Sequence, residues 1–359
     1  MLIDATSLSE HLSAEWMLDL VQVRLAEGLQ AENGETLCGV ETLKVLSRPY
    51  STTQILQIFT DRGSRRVVLK QVVEHPLNAS VIDDPDQAAV EFGILAKIQP
   101  RFADIDRCSV PRPIVLLPEL NAYLMEYVDG QVLSDQLNFV HYLADRSRFG
   151  QLQQDFYDCG RWLRHFQDII GRGVSDVSAV DNVVVRCHDR LRVIEKASDP
   201  GCPSHFRALA TNYIDKQVRS LANTEILVTG RHGDFGPWNT LANSDGVTMI
   251  DFFGYREDPL PVDICTMLVF LESQEHGLAN SVSRIRKLRE RFVAGLGSLP
   301  TLPEPLILLC EAQQRILRLA GRVLESRKGI FRQWERTGSL RTNVAWFLSA
   351  PDKSSLWPR

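Results

Sequence analysis

Three polar side chains stand at spacings that suit phosphoryl transfer. Asp234 lies in Arg231-His232-Gly233-Asp234-Phe235-Gly236-Pro237-Trp238-Asn239, Asn239 follows five residues later, and Asp251 closes the apolar run Met249-Ile250-Asp251-Phe252. That reaction asks mainly for positioning and for neutralisation of charge on the transferring group. A carboxylate at Asp234 can orient an attacking hydroxyl and accept its proton. Hard oxygen ligands at Asn239 and Asp251 suit Mg²⁺, which keeps several waters and binds nucleotide phosphates. A neutral amide beside one carboxylate limits like-charge repulsion. Asp-Phe-Gly-Pro and Asn243-Ser244-Asp245-Gly246 are also ordinary turn chemistry, but turns alone do not explain the order of all three groups with apolar strands between them.

The elements that must position these residues can be read outward from them. The segment predicts a loop, a strand, a hairpin turn at Asn243–Gly246 and a second strand that ends in Asp251. Upstream, Glu41–Ser47 and Gln54–Thr60 alternate like strands, with Arg48–Thr53 between them. A third strand is predicted over Arg66–Val73, after a turn at Asp61–Ser64. The loop His75–Pro85 leads into a helix from Asp86 to Ile98, and a strand pair runs from Val110 to Val128. Beyond Gly130 the pattern is mainly helical, with helices predicted at Tyr157–Ile170, Ser204–Leu221, Val262–Leu271, Val282–Leu296 and Pro305–Lys328. Residues 1–38 read as a helical extension, 39–128 as a small β-rich lobe with one helix, and 129–359 as a larger helical lobe.

A chain of 359 residues is long enough for two lobes, and 44% hydrophobic with 24% charged residues is ordinary globular composition. The net charge of -5 argues against bulk nucleic-acid binding. Seven scattered cysteines without a Cys-x-x-Cys pair read as reduced, mostly buried thiols of a cytoplasmic protein. No signal peptide is evident, and no apolar run reaches the roughly 20 residues needed to span a bilayer.

His232-Gly233-Asp234-x-x-x-x-Asn239 followed by Ile250-Asp251-Phe252 resembles the aminoglycoside phosphotransferase and choline kinase superfamily. The resemblance runs from about Val40 to past Asp263. It implies an α+β, bilobal protein-kinase-like fold. It also implies transfer of the γ-phosphoryl group of ATP, or GTP, with Mg²⁺, to a hydroxyl of a small molecule. Asp234 would be the catalytic base, and Asn239 and Asp251 would hold the metal.

Further positions follow from the same resemblance. Lys70 closes an aliphatic strand. Alone it reads as an edge-strand lysine in solvent. Glu91, set among core-facing residues of the next helix, wants a cationic partner. The family pattern pairs the two so that Lys70 reaches the α- and β-phosphates, although Glu74 is a rival by closeness. Ser51-Thr52-Thr53 occupies the turn that should cover the phosphates. No glycine lies between Gly39 and Gly63, a departure from the protein-kinase Gly-rich loop. These residues are either phosphate donors, as Ser- and Thr-rich turns of the family are, or a plain hairpin turn. In the hinge Tyr123–Gly130, Met125 would lie behind the adenine, with the Glu126 carbonyl and the Val128 N–H on its edge. His232 would order the loop, a general-acid role being the alternative. Asp263 would steady the loop or serve as a helix N-terminal carboxylate.

The acceptor is not legible. The late helices lean basic, from Arg284 to Arg291 and from Arg315 to Arg336. They read as a solvated face, or as a surface for a neutral or anionic acceptor. An atypical protein kinase and a catalytically idle nucleotide-binding scaffold are the competing classes, and a homodimer stays open.

Overall fold

The computed structural model describes residues 19–31, 34–48, 51–73, 86–137, 145–197, 199, 201–275, 281–324 and 330–358. They fall into two compact units. The first holds the chain up to Ile105, with Ser109–Asp129 and Thr248–Phe253. The second holds Asp106–Cys108, Gly130–Val247 and everything from Gly254 onward.

In the first unit, alternating residues build a sheet with two different faces. Helix α1 (19–31) is followed by β1 (Leu37–Arg48), β2 (Ser51–Thr60), β3 (Gly63–Val72), helix α2 (Gln87–Phe102), the short β4 (Cys108–Ser109) at the division between units, β5 (Pro113–Leu117) and β6 (Ala122–Glu126). The sheet runs β1-β2-β3-β6-β5 with antiparallel neighbours. Leu56, Ile58, Val67, Leu69, Ala122 and Leu124 form one core with Val21, Leu25 and Leu29 of α1. Those three helix positions recur every four residues, one stripe of a helix. Burying each contributes roughly 1.5–3 kcal/mol. The 1–38 stretch is therefore not wholly an appendage, because α1 completes the core of the small lobe.

The period of two sends the other residues to the opposite face. Lys70 pairs with Tyr123 and Val68 with Met125 across β3 and β6. Lys70 consequently stands on a central strand, which rules out the edge-strand reading. The expected turn at Ser51–Thr53 is also corrected. Ser51 and Thr52 already belong to β2 and pair with Arg48 and Ser47 on one side and with Val72 and Gln71 on the other. Serine and threonine suit extended backbone as well as turns. The connection itself, residues 49–50, lies outside the described residues, as do Glu74 and the whole loop His75–Pro85.

The second unit holds β7 (Gln131–Val132), α3 (Leu133–Leu137), α4 (Arg146–Ile170), β8 (Arg172–Ser175), α5 (Asp181–Ala197), α6 (Phe206–Ser220), β9 (Ile226–Arg231), β10 (Thr240–Asn243), β11 (Gly246–Met249, which runs into the first unit), β12 (Arg256–Pro259), α7 (Pro261–Gln274), α8 (Val282–Leu296), α9 (Glu304–Leu324) and α10 (Ile330–Ser349). A large core gathers around α9, with Leu309, Cys310, Ile316 and Leu319 fully buried. Helices α4 and α8 cross at two glycines. A Cβ on Gly160 would stand 2.1 Å from the Phe292 carbonyl oxygen, and one on Gly295 would stand 2.0 Å from that of Tyr157. Helix α5 and strand β12 were not expected. The run Val183-Val184-Val185 is β-branched and masks the helical spacing of Val183, Cys187, Leu191 and Ile194.

Candidate active site

The first unit assembles a buried charged cluster on the face of β3 that looks away from α1. Lys70 Nζ donates to Glu91 Oε2 at 2.6 Å and to Asp251 Oδ1 at 2.8 Å. Tyr123 Oη donates to the same Glu91 oxygen at 3.0 Å. Lys70 is 5% exposed and Glu91 not at all, so neither charge would be tolerated alone. Burial opposes the Lys70 ammonium, but Asp251 and Glu91 outweigh it and raise its pKa well above the usual lysine value. Burial raises the Glu91 carboxyl, against the pull of Lys70. Asp251 sits at φ 71°, a left-handed conformation that few non-glycine residues adopt. Gln87 Nε2, on α2, donates to the Phe253 carbonyl at 2.7 Å and ties the strand end to the helix that carries Glu91. The structure thus brings Lys70, Glu91 and Asp251 together. Met125 is 8% exposed on the same sheet face as Lys70. Glu126 is held through its backbone N–H, which donates to the Arg112 carbonyl at 2.9 Å, and Val128 is half-buried. Thr53, not Ser51 or Thr52, is the residue opposite Lys70.

The second unit holds the loop. Strand β9 delivers Arg231, whose guanidinium pairs with Asp258 of β12 at 2.8 Å with both side chains buried. His232 N donates to Asp263 Oδ2 at 2.6 Å and Gly233 N to Oδ1 at 3.4 Å, so the first turn of α7 grips the loop backbone. Burial pushes Asp263 up to about 6, although Arg231 and the two backbone N–H groups oppose it. The His232 ring is buried edge-on to Trp162 and Phe235. Gly233 has φ 96°, and a Cβ there would meet the Gly254 backbone at 2.2 Å.

Asp234 is exposed and held from its own loop. Trp238 Nε1 donates to Oδ2 at 2.9 Å and Asn239 Nδ2 to the same oxygen at 2.8 Å. Asn239 Nδ2 also donates to the Asp234 carbonyl at 3.0 Å. These bonds commit the amide nitrogen of Asn239. The indole folds back over Gly236, where a Cβ would lie 2.4 Å from the ring. Its other neighbour is Phe270, edge-on at 5.4 Å. Reading the sequence by motif misses both Trp238 and Tyr123. Trp238 adjoins Asn239, and its one N–H was the available signal. Tyr123 becomes a partner only through the β3–β6 register.

The basic late helices are not a uniform solvated face. Arg315 is fully buried, within 2.7 Å of both Glu272 and Glu311, and stacks on Trp346. Arg318 lies over Phe270, and Arg286 and Arg289 pair with Glu275. Side-chain placement at 330–336 falls outside the described residues.

No family model and no curated protein matches the chain. Solved structures do. A glucosamine kinase in complex with glucosamine, ADP and inorganic phosphate superposes with a TM-score of 0.57 at 14% identity, over 88% of this chain and 83% of its own. Choline kinase from Cryptosporidium parvum Iowa II gives 0.54 at 12%, over 94% and 95%. A microcompartment-associated aminopropanol kinase gives 0.54 at 16%, over 89% and 95%. Identities this low speak for architecture. The chain carries the α+β protein-kinase-like fold in the form seen in these small-molecule kinases.

Proposed function

We propose that the chain is a kinase that transfers the γ-phosphoryl group of ATP, or GTP, to a hydroxyl of a small molecule in the cytoplasm, with Mg²⁺. The observation that carries this reading is the Lys70 cluster. A lysine buried on a central strand and joined to both Glu91 and Asp251 is costly to build, and a lone hydrophobic residue would fill the place more cheaply. Phosphate positioning gives it a purpose.

In this reading Lys70 holds the nucleotide phosphates, Glu91 and Tyr123 hold Lys70, and Met125, Glu126 and Val128 border the base. Asp234 orients the acceptor hydroxyl and takes its proton. Asn239 and Asp251, a neutral oxygen and an anionic one, suit Mg²⁺, with phosphates and water completing its shell. The metal would supply charge neutralisation on the phosphates. The names of the structural relatives suggest an amino sugar or amino alcohol as acceptor.

Thermal shift with Mg²⁺-ATP and Mg²⁺-GTP tests nucleotide binding, and ADP or GDP release across a panel of such alcohols tests turnover. Stabilisation by nucleotide together with release that depends on one acceptor is the expected result. Nucleotide binding without release from any acceptor would indicate an idle scaffold. No binding at all would refute the reading.

A further inference from the structure

Two acids on successive turns of α4 are treated very differently. Asp158 accepts from Arg107 Nε at 2.8 Å and from Gln154 Nε2 at 3.0 Å. Asp155 is equally buried but, among the described residues, accepts only from Gln151 Nε2, at 2.7 Å on Oδ1. Its Oδ2 is enclosed and, among the same residues, has no hydrogen-bond partner. Leaving a buried acceptor unmet is unfavourable, and more so for a charged one. Asp155 belongs to the lining of a cavity of about 560 Å³, together with Gln131, Gln136, Gln151, Asn243 and Ser244. That size lies within the range of small-molecule sites.

The chemistry of the lining selects among ligands. The described lining carries one carboxylate and no cation. Arg107 approaches the rim through the Ser244 carbonyl, at 3.1 Å, but its charge is answered by Asp158. An anion would face a carboxylate that Arg107 offsets only in part. An apolar ligand would strand the amides. A guanidinium wants two carboxylate oxygens, and one of these is already taken by Gln151. An ammonium has three donors and no acceptor, which answers the one Asp155 oxygen that lacks a donor. The carboxamides both donate and accept, as hydroxyl neighbours require.

We propose that this cavity, bounded by β7, α3, α4 and the β10–β11 turn, is a second small-molecule site. Its ligand class is a primary ammonium compound flanked by hydroxyl groups. The site is separate in its residues from the Asp234 loop and from the Lys70 cluster. It also predicts a pH dependence. Burial, with a smaller push from Asp158 and against Arg107 and the Gln151 bond, raises Asp155 to about 6. Ammonium binding needs the ionised form, so affinity should rise as pH passes upward through 6.

The test is calorimetric titration of the full chain with 2-amino-1,3-propanediol, with glycerol as the neutral control. At pH 7.5 the amine should bind at least tenfold more tightly than glycerol. Asp155→Asn should weaken amine binding at least tenfold and leave phosphoryl transfer unchanged. Should that variant fail to fold, Gln136→Leu on α3 should weaken binding severalfold at unchanged Tm. No amine binding to the wild type, equal binding of amine and glycerol, or undiminished binding by the variant that folds would each overturn the proposal.

Discussion

The Lys70 cluster and the Asp234 loop handle carboxylates in opposite ways. In the cluster, charge is paired: buried Glu91 and half-buried Asp251 both meet one buried ammonium. In the loop, Asp234 is exposed, and neutral N–H donors from Trp238 and Asn239 hold one of its oxygens. The first arrangement makes electrostatics part of stability. The second makes geometry matter while stability barely depends on it. The buried lysine is fixed with its partners, whereas Asp234, to which the proposed function gives a proton to exchange, is left in solvent and steered.

Mutation can break that contrast. Asp234→Asn should lower kcat and kcat/KM together by ~10²–10⁴, the range of general acid–base groups, with nucleotide affinity and Tm nearly unchanged. Near-wild-type turnover with the true acceptor would remove Asp234 from the chemistry. Lys70→Met should do the converse. It leaves Glu91 buried without its cation and should cost about 3–5 kcal/mol in denaturant titration, along with nucleotide affinity. An unchanged midpoint would show that the cluster is not holding charge.

Asp155 sharpens the comparison, since it is buried like Glu91 but, among the described residues, forms no ion pair and feels only the weaker pull of Arg107. Its folded pKa of about 6 lies above the unfolded value of 3.8. A raised pKa contributes stability that is fully present below about pH 4 and lost as pH rises through 6. Asp155→Asn should therefore be more stable than wild type above pH 6, by at most about 3 kcal/mol, and indistinguishable near pH 4. A difference independent of pH would mean that the acid is not buried as described. The smallest effect belongs to Trp238→Phe. It keeps the edge contact with Phe270 but loses one of two donors to Asp234, worth about 1 kcal/mol. The expected result is roughly a fivefold fall in kcat at unchanged nucleotide affinity, and a loss confined to KM would reassign Trp238 to acceptor binding.

Much of this was legible in the sequence where function and local pattern agree. The loop from His232 to Asn239, the strand carrying Lys70 and the helix carrying Glu91 all announce themselves through spacing and alternation. What escaped depends on register or on distance along the chain. Tyr123 meets Glu91 only because β6 pairs with β3 as it does. Arg315 reads as surface charge because Glu272 and Trp346, which enclose it along with Glu311 of its own helix, lie on other helices. Ser51 and Thr52 were assigned to a turn by composition, whereas the pairing of β1 with β2 extends to Arg48 and Ser51. Helix α5 was hidden by three consecutive valines.

Helix α1 has a practical consequence for anyone producing this protein. Val21, Leu25 and Leu29 cover a sheet face built from Leu56, Val67, Leu69 and Leu124. A recombinant version trimmed to begin at Leu37, at the first strand, would keep every residue of the charged cluster and of the loop. It would also bare a contiguous greasy wall on the small lobe, of the kind that drives association in solution. Insolubility of such a trimmed chain would reflect the missing lid on the sheet and would say nothing about the catalytic machinery, so affinity tags belong ahead of residue 19 or at the far end.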